Sequence, residues 1–211
     1  MFVLLDSNIY CGDWFLKSAP IRYLCHFLNI EGRTLRVPRV GLDGVANVRA
    51  RKFSEEAATA GKALAVLHRL NGDDPKAAND IPAAKEYNLL TLLKQSIEDV
   101  SVLEYNTLPH EEIFRRALTA QRPFREGEKG YRDTLIWMSL ISFLKTQNHP
   151  ATVAFVTTNK NDFFSQADDT EFHADLRADL TGANVVPFKS LAAFVDRHVD
   201  KTVHGIDRVM L

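Results

Sequence analysis

Short, unbroken apolar runs alternate along the chain with longer stretches whose apolar residues recur every three or four positions. Phe2-Val-Leu-Leu5 is apolar throughout and stops at Asp6-Ser7-Asn8, the pattern of a central strand buried on both faces and ended by turn-forming residues. Residues 14–30 carry a helical pattern interrupted at Pro20, and Thr34-Leu-Arg-Val-Pro38 predicts a second strand. Val40-Gly-Leu-Asp-Gly-Val45 leads into a helix through Arg49, Arg51 and Lys52, and Ser54 reads as the N-cap of a separate alanine-rich helix, Glu55 to Leu70. The loop Asn71-Gly-Asp-Asp-Pro75 and a helix over 83–97 follow, so a helical hairpin is expected as an insertion at about 54–98.

Val100-Ser-Val-Leu-Glu-Tyr105 alternates as a strand does, and a helix from Glu111 to Ala120 ends ahead of Pro123. Thr134 to Leu144 is apolar or small almost without a break, which puts that helix deep in the fold, with Asp133 in its first turn. The strand Ala151-Thr-Val-Ala-Phe-Val156 then stops at Thr157-Thr-Asn-Lys-Asn-Asp-Phe163, repeating the layout of the first strand. A helix from about Thr170 to Leu180, a strand Ala183 to Phe188 and a Ser190-capped helix Leu191 to Val199 close the chain. Strands alternating with helices predict an α/β fold on a mainly parallel sheet.

A length of 211 residues with 45% hydrophobic content suits a single domain spanning 1–211. The apolar runs fall short of the ~20 residues that cross a bilayer, and the amino-terminal stretch lacks a basic region ahead of its apolar one. A soluble, cytoplasmic protein without a membrane partner is expected. Cys11 and Cys25 have neither CxxC spacing nor a histidine at ligand spacing, and read as reduced structural thiols. With 26 basic against 27 acidic residues there is no general basic coat, so polyanion binding has to be local. The segment Arg115 to Arg132 supplies such a locus, with six basic residues against Glu126 and Glu128.

Taken singly, Asp6 suits a metal ligand and ordinary turn chemistry equally, and Asp133 reads as a helix-capping acid. Taken together, Asp6 ends one buried strand, Asn159 and Asp162 follow another, and Asp133 begins the buried helix between them. In a parallel sheet these places converge on one edge. Carboxylate and amide oxygens gathered there suit a hard cation, Mg²⁺ or Mn²⁺, that also binds substrate phosphates. An aspartyl-phosphate phosphatase would need a second Asp two residues after the first, where this chain has Asn8.

Three blocks, Val3-Leu-Leu-Asp-Ser-Asn8, Gly130-Tyr-Arg-Asp-Thr-Leu-Ile-Trp137 and Val156-Thr-Thr-Asn-Lys-Asn-Asp-Phe163, resemble in order and spacing the motif blocks of the PIN-domain nucleases, particularly bacterial members with a helical insertion. The resemblance implies a three-layer α/β/α sandwich and a metal-dependent endoribonuclease of a kind often used as a toxin or in defence. It also implies an antitoxin or defence protein as partner, and homodimers are common in the family. By position, Asp6 and Asp133 become metal ligands, supported by Ser7, Asn8, Thr134 and Thr158. Asn159 falls at a variable further ligand position, and Asp162 orients its loop or contributes through water.

One position departs from the family pattern. A Glu is expected where Gly44 stands, after Asp43, and glycine brings no oxygen and is about 1 kcal/mol worse than Ala inside a helix. Either Asp43 substitutes, or the chain has lost a ligand, or Gly44 is an inactivating replacement in a toxic nuclease, unless the register is off by one. Adjacent helical residues point about 100° apart, which disfavours Asp43. Arg116, Arg122, Arg125, Lys129 and Arg132 are the expected contacts to RNA phosphates, with Tyr131 or Phe124 available for base stacking. The alternative is a catalytically silent PIN-like module that binds RNA or a protein.

Overall fold

In the computed structural model, which describes residues 1–72, 81–125, 129–168, 170–180 and 182–199, five strands form one sheet. They are β1 (Phe2–Leu5), β2 (Thr34–Pro38), β3 (Val100–Leu103), β4 (Thr152–Val156) and β5 (Asn184–Phe188). All neighbours run parallel, in the order β3-β2-β1-β4-β5. Strand order therefore switches at β1, with β2 and β3 added on one side and β4 and β5 on the other. The crevice outside the carboxyl ends of β1 and β4 is where such a sheet receives a ligand. Leu5 pairs with Val156, so Asp6 and Thr157 leave the sheet side by side, tied by the Asp6 N–H donating to the Val156 carbonyl at 2.9 Å.

Alternation along β1 divides the core. Val3 and Leu5 pack with Leu24 and Leu28 of α1 (Ala19–Ile30), Val45 of α2 (Arg39–Asn71), Leu93 of α3 (Leu89–Ser96) and Phe194 of α8 (Leu191–His198). Leu4 faces the other way, onto Ile113 of α4 (His110–Leu118), Trp137 and Leu140 of α5 (Tyr131–Lys145) and Leu176 of α7 (Ala174–Asp179). A fully parallel sheet with helices on both faces makes the α/β/α sandwich that the apolar strands required. Trp137 is fully buried against Phe155, at 6.0 Å and 85°, and its indole N–H donates to Asp179 at 2.8 Å. Among the described residues no helix is long and apolar enough to cross a membrane.

Several boundaries differ from expectation. Pro20 starts α1 instead of interrupting it, because a first-turn residue needs no N–H partner; residues 14–18 lie outside the helix. The two helices expected on either side of Ser54 are one, the 33-residue α2, which ends at Gly72 with φ 80°. Ser54 sits in its interior. Leu42 and Val45 are buried on the core, whereas from Arg51 to Asn71 the helix is mostly exposed. The helix expected over 83–97 begins only at Leu89, where the Asn88 side chain accepts from the Thr91 N–H at 3.0 Å. Residues 73–75 of the expected loop lie outside the described residues, as do Glu126 and Glu128. The short helix α6 (Lys160–Phe163) follows β4, and α7 is shorter than the predicted 170–180 helix.

The two serines separate a true cap from an apparent one. Ser190 accepts from the Ala193 N–H at 3.1 Å, so Ser190→Ala is expected to cost ~1 kcal/mol of stability. Ser54→Ala, inside α2, is expected to be neutral or to stabilise by a few tenths, about the propensity difference. Urea unfolding of both variants checks this, and an equal loss in the two would contradict a continuous α2.

Candidate active site

The end of β1 delivers Asp6 into a buried position, 1% exposed. Its carboxylate accepts from the Ser7 hydroxyl at 3.1 Å, the Asn8 amide at 2.7 Å and the Thr157 hydroxyl at 2.6 Å. Asn8 also donates to the Thr157 oxygen at 3.0 Å and accepts from the Thr158 N–H at 3.2 Å, so the ends of β1 and β4 are locked together around one acid. Of the two adjacent threonines, sequence reasoning chose Thr158. Buried Thr157 is the one whose side chain reaches Asp6, and Thr158 contributes its backbone.

Asp133 arrives from the helical layer packed on the sheet. Gly130 precedes α5 with φ 100°, and a Cβ there would stand 2.2 Å from the Pro123 carbonyl oxygen. Only glycine makes that close, left-handed entry, which fixes where the first turn of α5, and Asp133 with it, comes to lie. Asn159, after β4, donates to Asp133 at 3.2 Å and to Asp162 at 2.8 Å. Thr134 is buried behind, its hydroxyl without a hydrogen-bond partner among the described residues.

Asp6, Ser7, Asn8, Gly44, Arg132, Asp133, Thr158 and Asn159 line one cleft of about 380 Å³, together with Cys11 and Val48, which sequence reasoning did not place there. Gly44 lines the cleft and Asp43 does not; Asp43 is exposed, and its charge bears on Arg39. The helix rotation takes Asp43 away from the acids.

The basic residues divide. Arg116 is 1% exposed and cannot meet RNA: its guanidinium pairs with Asp179 and donates to the Arg122 carbonyl at 2.6 Å. Arg122 and Arg125 flank the buried Asp162, at 3.5 and 2.5 Å, and with Lys160 line a second, smaller cleft beside the first. Asp162 is thus held by two arginines and Asn159 and does not line the Asp6–Asp133 cleft. Lys129 and Arg132 are exposed. Of the two aromatic residues expected to stack on a base, Phe124 is buried and Tyr131 is 52% exposed.

Against known sequences, the profile of the PIN domain matches residues 3–163. The chain belongs to the PIN-domain family. Neither the curated proteins nor the solved structures contain a match. A PIN domain is a nuclease-type fold, and its cleft here is built from acids that repel one another. Burial pushes the Asp6 carboxyl above its ordinary range against the pull of its hydrogen bonds from Thr157 and Ser7. Burial, and then the charges of Asp6 and Asp162, push Asp133 up to about 7, with Arg132 and Asn159 acting the other way.

Among the described residues no three carboxylate, imidazole or thiolate groups gather to hold a metal. What this PIN domain offers is two desolvated carboxylates and the neutral oxygens around them. That set fits Mg²⁺ or Mn²⁺, which take one or two carboxylates and complete their shell with water and phosphate oxygens. Asn159 turns its NH₂ group, not its oxygen, toward the acids, and so bridges them as a donor.

The raised Asp133 pKa has a stability consequence in the metal-free protein. The folded state holds a proton on Asp133 that the unfolded chain, at the ordinary 3.8, has lost. Its contribution is complete at low pH and disappears as the pH rises through about 7. Asp133→Asn is therefore expected to be more stable than the parent at about pH 8, by ~1–3 kcal/mol after solvent screening, with the difference shrinking toward about pH 4. Urea unfolding in chelator across this range measures it; a constant difference would contradict the shift.

Proposed function

We propose that the chain is a divalent-metal-dependent endoribonuclease that hydrolyses RNA phosphodiester bonds. The observation that carries this reading is the meeting of Asp6, from the sheet of a PIN domain, and Asp133, from a helix packed on it, in one cleft at the switch point of that sheet. Asp6 and Asp133 would hold Mg²⁺ or Mn²⁺. Such a cation, when bound, neutralises charge on a phosphodiester and acidifies water.

The chain's own residues do the rest. Thr157, Ser7 and Asn8 fix the Asp6 carboxylate, and Asn159 fixes Asp133 against the loop after β4, so neither acid has to reorganise when substrate arrives. Arg122 and Arg125, which line the second cleft, would take a neighbouring RNA phosphate together with the exposed Lys129. Tyr131 offers a stacking face.

Incubation of a mixed RNA with Mn²⁺ or Mg²⁺ tests the chemistry. The unaltered chain is expected to cleave, chelator to stop it, and Asp6→Ala to lower it beyond the ~100-fold typical for losing a residue that supports a metal ligand. Gly44 supports a second reading, a silent RNA- or protein-binding module, because it leaves the cleft one acid short of the family pattern. If only Gly44→Glu cleaves, the chain is a nuclease that has lost a ligand; if neither cleaves, the binding module is the correct reading.

RNA contact by Arg122 and Arg125 has its own readout. Replacing both with Gln is expected to weaken RNA binding about tenfold and to lower the slope of log affinity against log salt by about 0.7–1.4, one or two phosphates' worth on a single strand. An unchanged affinity and slope would remove the pair from the interface.

A further inference from the structure

Arg132 is the one cationic side chain among the described residues that line the Asp6–Asp133 cleft. It lies over Gly44: a Cβ built on that glycine would stand 3.4 Å from Arg132 Nη1 and 4.0 Å from its Cδ. Among the described residues no carboxylate comes within ion-pair distance of its guanidinium, although Asp133 is its neighbour in sequence. This sets it apart from Arg116, Arg122 and Arg125, each of which has an acid partner. A methyl group at position 44 would be in ordinary contact with the arginine. A longer acidic side chain there would start from the same Cβ and meet the guanidinium directly.

We infer that Gly44 and Arg132 together form a phosphate-binding subsite inside the cleft. The missing side chain at 44 leaves the Arg132 fork unpaired and facing the substrate, where it takes an RNA backbone phosphate by charge-assisted hydrogen bonds. Glycine at 44 thus exchanges one acid for one available cation. The subsite rests on the RNA reading above but not on cleavage, since a guanidinium binds phosphate without a divalent ion.

The test is binding of a fluorescently labelled single-stranded RNA in chelator, by anisotropy over a series of salt concentrations. Arg132→Gln is expected to weaken binding about tenfold and to reduce the salt slope by about 0.7, one phosphate. Gly44→Glu is expected to weaken it similarly by capturing Arg132, and to add little further loss in the Arg132→Gln background. Gly44→Ala, whose methyl brings no charge to Arg132, is expected to lose much less affinity than Gly44→Glu, which separates the added charge from the added bulk. Two results overturn the inference: an unchanged affinity and slope in Arg132→Gln, or a Gly44→Glu loss that is the same with and without Arg132, which is plain repulsion between the new carboxylate and RNA. If Arg132→Gln is silent while the Arg122/Arg125 variant still loses affinity, only this subsite fails; if both are silent, the RNA reading itself fails.

Discussion

Two carboxylates that repel each other, held where water cannot fully solvate them, are the constraint on which this structure turns. Asp6 and Asp133 lie far apart in sequence and come from different layers, so their meeting depends on the whole sandwich. The parallel pairing of β1 with β4 sets Asp6 beside Thr157. Gly130 sets the start of α5, and the buried length of that helix, anchored by Trp137, keeps its first turn from drifting. Hydrogen bonds from Ser7, Asn8, Thr157 and Asn159 offset part of the desolvation. What they leave uncompensated is an affinity for positive charge, and a cation or a guanidinium can meet it.

The arginines around the cleft show how a shared residue type acquires separate roles. Arg116 is buried with Asp179, which also accepts from Trp137, so its work is to join α4, α5 and α7. Arg122 and Arg125 are gathered by Asp162, a buried acid that turns two flexible side chains into a fixed pair at the cleft's edge. Arg132 has no such acid among the described residues and lies over a glycine. The same side chain thus ties helices together in one place, is held as a pair by a buried acid in another, and lines the cleft over a glycine in a third.

Most of the element order was legible because apolar periodicity follows from burial, and burial on two faces or on one stripe leaves different marks on a sequence. Boundaries were less legible where one residue serves two purposes. Serine caps helices but is also tolerated inside them, so Ser54 looked like a start and Ser190 was one. Proline breaks a helix in its interior and opens one in its first turn, which is why Pro20 misled. Asn88 is a true cap inside a stretch whose apolar spacing is helical on both sides of it, so nothing local marks it as the boundary.

The sequence by itself determined the parallel α/β fold, the two strand ends that carry oxygen, the acid at the start of the buried helix and the glycine at position 44. These are local: a strand's carboxyl end or a helix's first turn is set by the residues that form it. Only the tertiary structure decided that Thr157 and not Thr158 holds Asp6, that Asp43 faces away from the cleft, that Arg116 and Phe124 are buried, and that Asp162 belongs to two arginines. Each of these turns on direction, on which way one of two neighbouring side chains points once layers from distant parts of the chain have packed. The neighbours that settle it are not adjacent in sequence.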